Sequence, residues 1–335
     1  MTSSPRTLLG AALAAFALAL AAAPASAQFS LGDQRAGTSS GSFLKIGVGA
    51  RATGIGESFV AVANDPSAIH WNPAGLASLQ RKELAFSHVE WPGDIQVEHV
   101  TYVLPVTRLG GSLAFQLGAL STEIEETTEF APYGTGRTFA YSDLVAGAAY
   151  ARRWTDKLLV GAGLKFMRED LGSDVGGPTT NAVLLDVGGI YYLGLGSVRV
   201  GVALSNFSAE LTPSGTFVSP YTGERRSYDG FDPPLMFRYG VAFEPLENAS
   251  QRLTTALEFD LPADNAQVAK AGLEWLWSRR LALRGGYNFN ADALKLSAGA
   301  GLFVQLGNTL ATVDYAWTAA GPLGDVQRVS LGFRF

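Results

Sequence analysis

The feature that most restricts the fold is a series of segments, each about ten residues long, in which apolar side chains alternate with polar or small ones. Alternation with period two is typical of β-strands with two different faces. Beyond residue 27 no stretch of about 18 apolar residues occurs, which excludes a transmembrane helix there. The pattern therefore predicts an all-β chain. In one segment the apolar set is Leu158, Val160, Ala162, Leu164 and Phe166, and the opposite set is Lys157, Gly161, Gly163 and Lys165.

Fourteen such segments can be counted, and their connections are sorted by length. The segments begin near residues 82, 95, 109, 141, 157, 181, 196, 234, 252, 267, 280, 293, 308 and 327. The even-numbered connections are short, whereas the odd-numbered ones include the four longest gaps, at 121–140, 169–180, 209–233 and 318–326. Outer-membrane barrels alternate short periplasmic turns with longer extracellular loops. We therefore predict a transmembrane antiparallel β-barrel of about 14 strands whose first strand runs outward.

The strand ends agree with a barrel. The chain ends on an aromatic residue, with Val329, Leu331, Phe333 and Phe335 on one face. This resembles the terminal strand by which bacterial outer-membrane barrels are recognised for insertion, although Ser330 stands where that pattern usually has Gly. Aromatic residues near strand ends predict interfacial girdles, although they also occur in soluble sheets; these are Trp91, Tyr141, Trp154, Trp277, Tyr287 and Trp317.

The first 27 residues have the form of a secretory signal peptide. Arg6 provides a positive charge, residues 8–23 are apolar, and Ala25-Ser26-Ala27 fits a small-residue cleavage site. A retained membrane anchor is the alternative. We expect residues 1–27 to be a signal peptide, 28–80 an N-terminal hatch, and 81–335 the barrel, located in the outer membrane of a Gram-negative-type bacterium.

The predicted hatch differs in kind from the barrel. Its sequence is Gly-rich, and Asp65 before Pro66 and Asn72 before Pro73 each put a capping side chain ahead of a proline. This predicts two short helical turns. Because so short a segment cannot bury a core of its own, we expect it to pack inside the barrel lumen.

Composition argues against several other functions. The chain has 16% charged residues, a pI near 5.3 and no cysteine. An acidic balance disfavours nucleic-acid binding, and the lack of cysteine excludes Cys-ligated metals and thiol nucleophiles. His88 and Glu90 could form half of a metal site, but an isolated pair is more typical of a polar contact. We predict no catalytic residue, metal or cofactor, and no enzymatic activity.

Charged side chains on the polar faces of the strands form a second set of candidates. In a closed barrel they would either brace the hatch against the wall or select a solute. They are Lys165, Arg238, Glu258, Glu274, Arg284 and Lys295.

The run from Gly49 to Ala77 resembles the amino-terminal motif of the PorV/PorQ family, which is related in architecture to the FadL long-chain fatty-acid transporters. The motif reads G-A-R-A-x-G-x-G, then F-V-A-V-A-x-D, then W-N-P-A-G-L-A. The resemblance implies a 14-stranded barrel with a hatch inside it. It also implies that the hatch carries the motif residues Gly54, Gly56, Trp71, Asn72, Pro73 and Ala74.

Three functions follow from these observations and from the resemblance. The first is passage of hydrophobic small molecules across the outer membrane. The second is service to a type IX-like secretion or surface-attachment system, with secretion proteins or exported cargo as partners. The third is a purely structural barrel. All three share outer-membrane lipid as surroundings and none involves nucleic acid.

Overall fold

The computed structural model describes residues 36–219 and 221–335, and its strands close into a barrel. Residues 1–27, the predicted signal peptide, lie outside the described residues. Fourteen antiparallel strands form the wall, each pairing with its neighbours along the chain, and the last strand pairs with the first, Val329 opposite His88. The strands are β1 (Glu83–Trp91), β2 (Ile95–Val106), β3 (Gly111–Glu125), β4 (Thr138–Arg153), β5 (Leu158–Asp170), β6 (Thr179–Tyr192), β7 (Arg199–Phe207), a separate hairpin of β8 (Thr216–Val218) and β9 (Arg225–Ser227), then β10 (Met236–Glu247), β11 (Gln251–Pro262), β12 (Val268–Trp277), β13 (Leu281–Phe289), β14 (Leu296–Leu306), β15 (Thr309–Ala319) and β16 (Asp325–Arg334).

The strand prediction is confirmed. Each of the 14 wall strands begins within three residues of its predicted start. The connections also alternate as predicted: those after β2, β4, β6, β10, β12 and β14 are short, whereas the segment between β7 and β10 is the longest and contains the β8–β9 hairpin. Period-two patterning therefore determined both the number of strands and the end of the barrel at which each connection lies.

The outer surface of the barrel is apolar. Leu117, Leu164 and Val183 expose 59, 58 and 61% of their surface, and most large exposed hydrophobic residues lie on the outward positions of the strands. An apolar surface that surrounds the whole molecule is unfavourable in water and is the lipid-facing band of a membrane barrel. The chain is a transmembrane β-barrel.

The predicted aromatic girdle is correct in part. Trp154 and Trp277 are exposed on the outer surface. Trp91 and Tyr141 instead pack against apolar residues inside the barrel, and the Arg328 guanidinium lies 5.7 Å from the centre of the Trp91 ring. The reason is their position in the alternation: near a strand end an aromatic residue at an inward position has lumen neighbours, so proximity to the end does not by itself put it in lipid.

The described part of the hatch, residues 36–80, lies inside the barrel. Its regular elements are the 3-10 turn Ser42–Lys45, the helix Ala50–Gly54, the helix Ala68–Trp71 and the 3-10 helix Pro73–Ser78. The first helix packs on β13 to β16, and the 3-10 helix at the end packs on β3 to β6. In the described residues, no helix is long and apolar enough to cross a membrane.

One of the two predicted helix starts is correct. Asn72 caps the 3-10 helix, since its Oδ1 accepts a hydrogen bond from the N–H of Ala74 at 3.1 Å, with Pro73 in the first position. The other helix begins at Ala68, after Ser67, rather than at Pro66. The Asp65 carboxylate accepts the N–H of Ser67 at 2.9 Å, so it closes a turn ahead of the helix.

Candidate functional site: the hatch in the lumen

Asn72, Pro73 and Ala74 join the hatch to the wall at β5 and β6. Asn72 is completely buried, and its Nδ2 donates to the carbonyls of Val60 at 2.8 Å and Gly189 at 3.2 Å. One amide side chain therefore bonds two hatch segments and one wall strand. Burial without these partners would be costly, which explains why an amide and not an apolar residue stands here.

Trp71 is the centre of the packing between hatch segments. It is 1% exposed, and its indole Nε1 donates to the Val48 carbonyl at 2.9 Å. The Phe59 ring meets it edge-on at 6.3 Å, and the guanidinium of Arg238 lies 5.3 Å from the ring centre. Trp71 thus joins three parts of the hatch and one wall strand.

Gly54 and Gly56 lie where hatch backbone meets wall backbone. A Cβ on Gly54 would be 3.3 Å from the Cα of Gly299, and one on Gly56, whose φ is +67°, would be 3.0 Å from the Cα of Gly286. Seen from the wall, a Cβ on Gly286 would lie 2.1 Å from the Gly56 nitrogen. At Gly286 a side chain is excluded unless the backbone shifts, and at Gly54 and Gly56 the contact is tighter than side chains usually make.

The same kind of contact recurs around the lumen. Added Cβ atoms on these wall glycines would meet hatch atoms at 3.1 Å or less, so we call the set the glycine seat. It consists of Gly161, Gly188, Gly201, Gly240, Gly272, Gly286 and Gly299.

A buried charge cluster joins the first hatch helix to β12, β13 and β15. Arg51 donates to both oxygens of Glu274 at 2.8 and 2.9 Å, and to Asp65 at 3.0 Å. Arg284 donates to Glu274 at 2.8 Å and to Asp314 at 2.6 Å. Burial alone would lower the pKa of Arg51, but attraction and hydrogen bonding from Glu274 outweigh it and hold that pKa above its ordinary value. The Arg51 guanidinium therefore stays charged.

A second cluster lies beside it on β11 and β12. The Glu258 carboxylate accepts the Val60 N–H at 2.6 Å. Lys270 lies 2.9 Å from Glu57 of the hatch and 2.7 Å from Asp260 of the wall. Glu258 and Lys270 each bond the hatch as well as belonging to the wall, so these charges brace the hatch.

Lys165 and Lys295 differ from the other predicted lumen residues. Lys165 bonds within the wall, to Asp186 at 2.8 Å and to Asn206 at 2.5 Å, where the pairing of β6 and β7 is irregular. Lys295 is exposed and lies in the connection before β14. Lys295 lies one residue before the strand, at the same parity as the buried Ser297, so its lumen-facing position stays a prediction.

Several residues of this site were not singled out in the sequence. They include acidic and basic partners of the charges described above, and a second bracing arginine, Arg199, which donates to the Ala61 carbonyl at 2.8 Å. A sequence signal did exist, since they share the inward parity of their strands.

Ser330, which stands where the terminal-strand pattern usually has Gly, bonds the hatch. Its Oγ accepts a hydrogen bond from the Ala50 N–H at 2.9 Å, which a glycine could not do.

A cavity of about 680 Å³ lies at the end of the barrel where the short connections are. The first hatch helix lines one side of it through Arg51, and the wall lines the other through Ser87, Thr101 and Ser330. Its lining is rich in charged and hydroxyl side chains. By the predicted orientation this space faces the periplasm.

A cavity of about 20 Å³ lies nearer the long loops, between the hatch and β2 to β5. Phe43, Leu44, Val97 and Val145 line it and belong to a larger buried group that we call the outer apolar cluster. His70 also lines it, and burial, with a further contribution from nearby cations, lowers the pKa of His70 well below its ordinary value, so the imidazole is neutral. The outer apolar cluster consists of Phe43, Leu44, Val89, Val97, Leu120, Val145, Met167, Leu184, Leu211, Ala320 and Val326.

Comparison with known sequences yields one family. Residues 17–156 match the model of a family described as "Uncharacterised protein family (UPF0164)". No curated protein matches the sequence.

Solved structures share the fold over most of the chain. The Ralstonia pickettii toluene transporter TbuX has a TM-score of 0.56 and 14% identity, covering 86% of this chain and 97% of its own. The Pseudomonas putida toluene transporter TodX has a TM-score of 0.55 and 14% identity, covering 86% of this chain and 96% of its own. A Pseudomonas aeruginosa FadL homologue has a TM-score of 0.51 and 12% identity, covering 86% of this chain and 98% of its own. The protein has a FadL-like fold.

Proposed function

We propose that this protein is an outer-membrane barrel that admits hydrophobic small molecules through the space between hatch and wall. The observation that carries the proposal is the outer apolar cluster. Elsewhere in the lumen the hatch contacts the wall through buried charges, through glycines and through small apolar residues such as Ala114 and Ala203. A water-filled channel for polar solutes is polar throughout. Here, Phe43 and Leu44 of the hatch face apolar side chains of β2 to β6 at the long-loop end.

The chemistry of this region suits an uncharged apolar ligand. Sites for small molecules are mostly apolar with a few polar groups that fix orientation. The outer apolar cluster has that character, with neutral His70 and Gln116 at its edge. TbuX and TodX, which have this fold, are toluene transporters, which supports a substrate of similar chemistry.

The cavity is closed in this conformation. A volume of about 20 Å³ accommodates about one water molecule, so an aromatic ring enters only when hatch side chains move aside. The hatch, residues 28–80 in our proposal, is thus the part that controls passage.

Uptake of radiolabelled toluene tests the proposal. Cells that express the full chain in their outer membrane should take up toluene faster than cells with an empty vector. Leu44→Glu should lower uptake by about tenfold or more, because it puts a charge into the outer apolar cluster. Phe130→Glu is the matched control, since Phe130 lies in a loop and is 96% exposed.

Two results would contradict this function. One is uptake by the wild-type protein no faster than the vector; the other is an equal effect of Leu44→Glu and Phe130→Glu, with both proteins present in the outer membrane in equal amounts.

The finer assignment to the PorV/PorQ family, with a secretion role, is a second candidate. One observation favours it: Phe130, Tyr133 and Tyr221, on the two longest connections, are 96, 97 and 96% exposed. Large exposed aromatic residues suit a protein partner. Co-purification of a stoichiometric protein partner that is lost in a triple alanine variant at these positions, together with no toluene uptake, would favour secretion over transport.

A further inference from the structure

The two cavities share two lining residues, Val48 of the hatch and His99 of β2. Both are buried, at 7 and 6% exposure. The ring of His99 is held on the wall side, where its Nε2 lies 3.1 Å from Gln116 Oε1 and its Nδ1 lies 3.3 Å from Thr101 Oγ1. The shortest connection between the outer apolar cluster and the larger cavity therefore runs past this pair.

Residues 51–74 of the hatch are held firmly against the wall. On the glycine seat its backbone is in direct contact with the wall; a Cβ on Gly201, for example, would lie 2.4 Å from the Val60 carbonyl oxygen. Buried ion pairs from Arg51 and Glu57 add to this contact. Displacing these parts would leave buried charges without partners, which is strongly unfavourable.

Residues 46–49 are held differently. They form neither helix nor strand. Three bonds to side chains hold them. The Trp71 indole donates to the Val48 carbonyl at 2.9 Å, the Gly49 N–H donates to Ser87 Oγ at 3.3 Å, and Thr53 Oγ1 donates to the Gly49 carbonyl at 3.1 Å. All three are neutral hydrogen bonds, which are weaker than charge-assisted ones. Glycines flank Val48 on both sides, and Gly49 has a φ of +87°, a conformation that glycine leaves and re-enters without steric cost.

We propose that residues 46–49 are a gate that opens past a fixed His99, joining the outer apolar cluster to the larger cavity, while the rest of the hatch stays on the glycine seat. This inference rests on the proposed function and adds the route and the moving part. Displacement of Val48 widens the constriction without breaking a buried ion pair. The route accordingly runs along β1 to β3 and β16, not through the centre of the barrel.

A single thiol tests the gate. The chain has no cysteine, so Val48→Cys introduces the sole reactive site, and Asp156→Cys, in an exposed turn at the same end of the barrel, is the matched control. Cells expressing each protein are treated with a trimethylammonium-ethyl methanethiosulfonate, and mass spectrometry measures modification. Toluene uptake by the Val48→Cys protein should fall about tenfold or more after treatment, because bulk and charge then occupy the constriction. Uptake by the Asp156→Cys protein should not change on treatment.

A second variant tests the gate independently of transport. Trp71→Phe removes the indole donor to Val48 but keeps an aromatic ring. In a Val48→Cys background it should speed thiol modification about three- to tenfold, because the loss of one neutral hydrogen bond raises the population of the open gate by about that factor.

The outcomes separate the two proposals. Toluene uptake that persists after complete modification of Cys at position 48, or a thiol there that never reacts during uptake, overturns the gate and leaves the transport function standing. An absence of uptake by the wild-type protein removes the transport function and the gate with it.

Discussion

Two sectors of the barrel wall contact the hatch in different ways. The seat sector, β5 to β7, β10 and β12 to β14, presents glycines, so the hatch packs directly on the wall backbone. The seam sector, β1, β2 and β16, presents Ser87 and Ser330, whose side chains accept hydrogen bonds from the hatch backbone. Its His99 and Thr101 bond each other and line a cavity of about 680 Å³ beside the hatch. Where the wall has glycines, the hatch and the wall are so close that they leave little room for a side chain. Where the wall has small polar side chains, the hatch is held by hydrogen bonds and has space beside it.

The largest expected effect comes from adding a side chain to the seat sector. Gly286→Val should unseat the first hatch helix at a cost of about 3 kcal/mol or more, since even its Cβ would lie 2.1 Å from the Gly56 nitrogen and the backbone cannot yield cheaply. Hydrogen exchange of residues 50–65 in detergent should rise sharply. Gly285→Val is the matched control, because a Cβ there meets nothing within 4 Å. Equal protection in the two variants would refute the seat.

The next effect comes from the charges behind the seat. Glu274→Gln leaves Arg51 and Arg284 without their shared carboxylate and should destabilise the seated hatch by about 3 kcal/mol. The same exchange measurement reports it, as a loss of protection in the first hatch helix. Glu123→Gln, at an exposed position of β3, should leave protection unchanged; a similar loss in both variants would mean that the buried cluster does not hold the hatch.

A smaller effect is expected at the wall strand that Asn72 reaches. Asn72→Ala removes the donor to the Val60 and Gly189 carbonyls and should cost about 2 kcal/mol, because both acceptors stay buried without it. Protease sensitivity of the purified barrel within residues 60–80 measures the change. Asn265→Ala, which loses an exposed hydrogen bond, should match the wild-type protein, and resistance of the Asn72→Ala hatch would contradict the assignment.

The smallest effect is a pH dependence at His70. Burial lowers its pKa below the ordinary 6.5, so a displaced hatch binds a proton there that the seated hatch does not. The seated state is therefore fully stable above about pH 6.5 and loses up to about 1.4 kcal/mol per pH unit below it, until the pH reaches the lowered pKa. Exchange of residues 68–76, corrected for intrinsic rates, should accelerate between pH 7.5 and 5.5. His70→Gln should flatten that slope; an unchanged slope would assign it to other groups.

The wall could be predicted from the sequence, and the reason is visible in β5. Leu164 and Phe166 face lipid while Lys165 faces the lumen. Because the two faces of the barrel need different side chains, each strand alternates between apolar and polar or small residues. The errors occurred where a local rule competed with tertiary context. Asp65 is placed to cap a helix but closes a turn and also binds Arg51, and Trp91 lies near a strand end but packs inward.

For the candidate site, the sequence could predict which residues belong to it but not which of them contact each other. Asn72 and Trp71 could be identified as hatch residues by resemblance, and Glu274 and Arg284 could be assigned to the lumen by parity. Nothing local indicates that Glu274 binds Arg51, which is 223 positions away. Partnership across the lumen depends on the height of each side chain in the barrel, which follows from the stagger of all strands together.

The sequence by itself determined the strands, their order, the lipid-facing surface and the presence of a segment unable to fold alone, because each follows from short-range periodicity and capping chemistry. Only the tertiary structure decided which glycines form the seat, which charges meet the hatch, and that Val48 and His99 lie between two cavities. The physical reason is that such contacts form between residues brought together by barrel closure, and closure is a property of the whole sheet and not of any one strand.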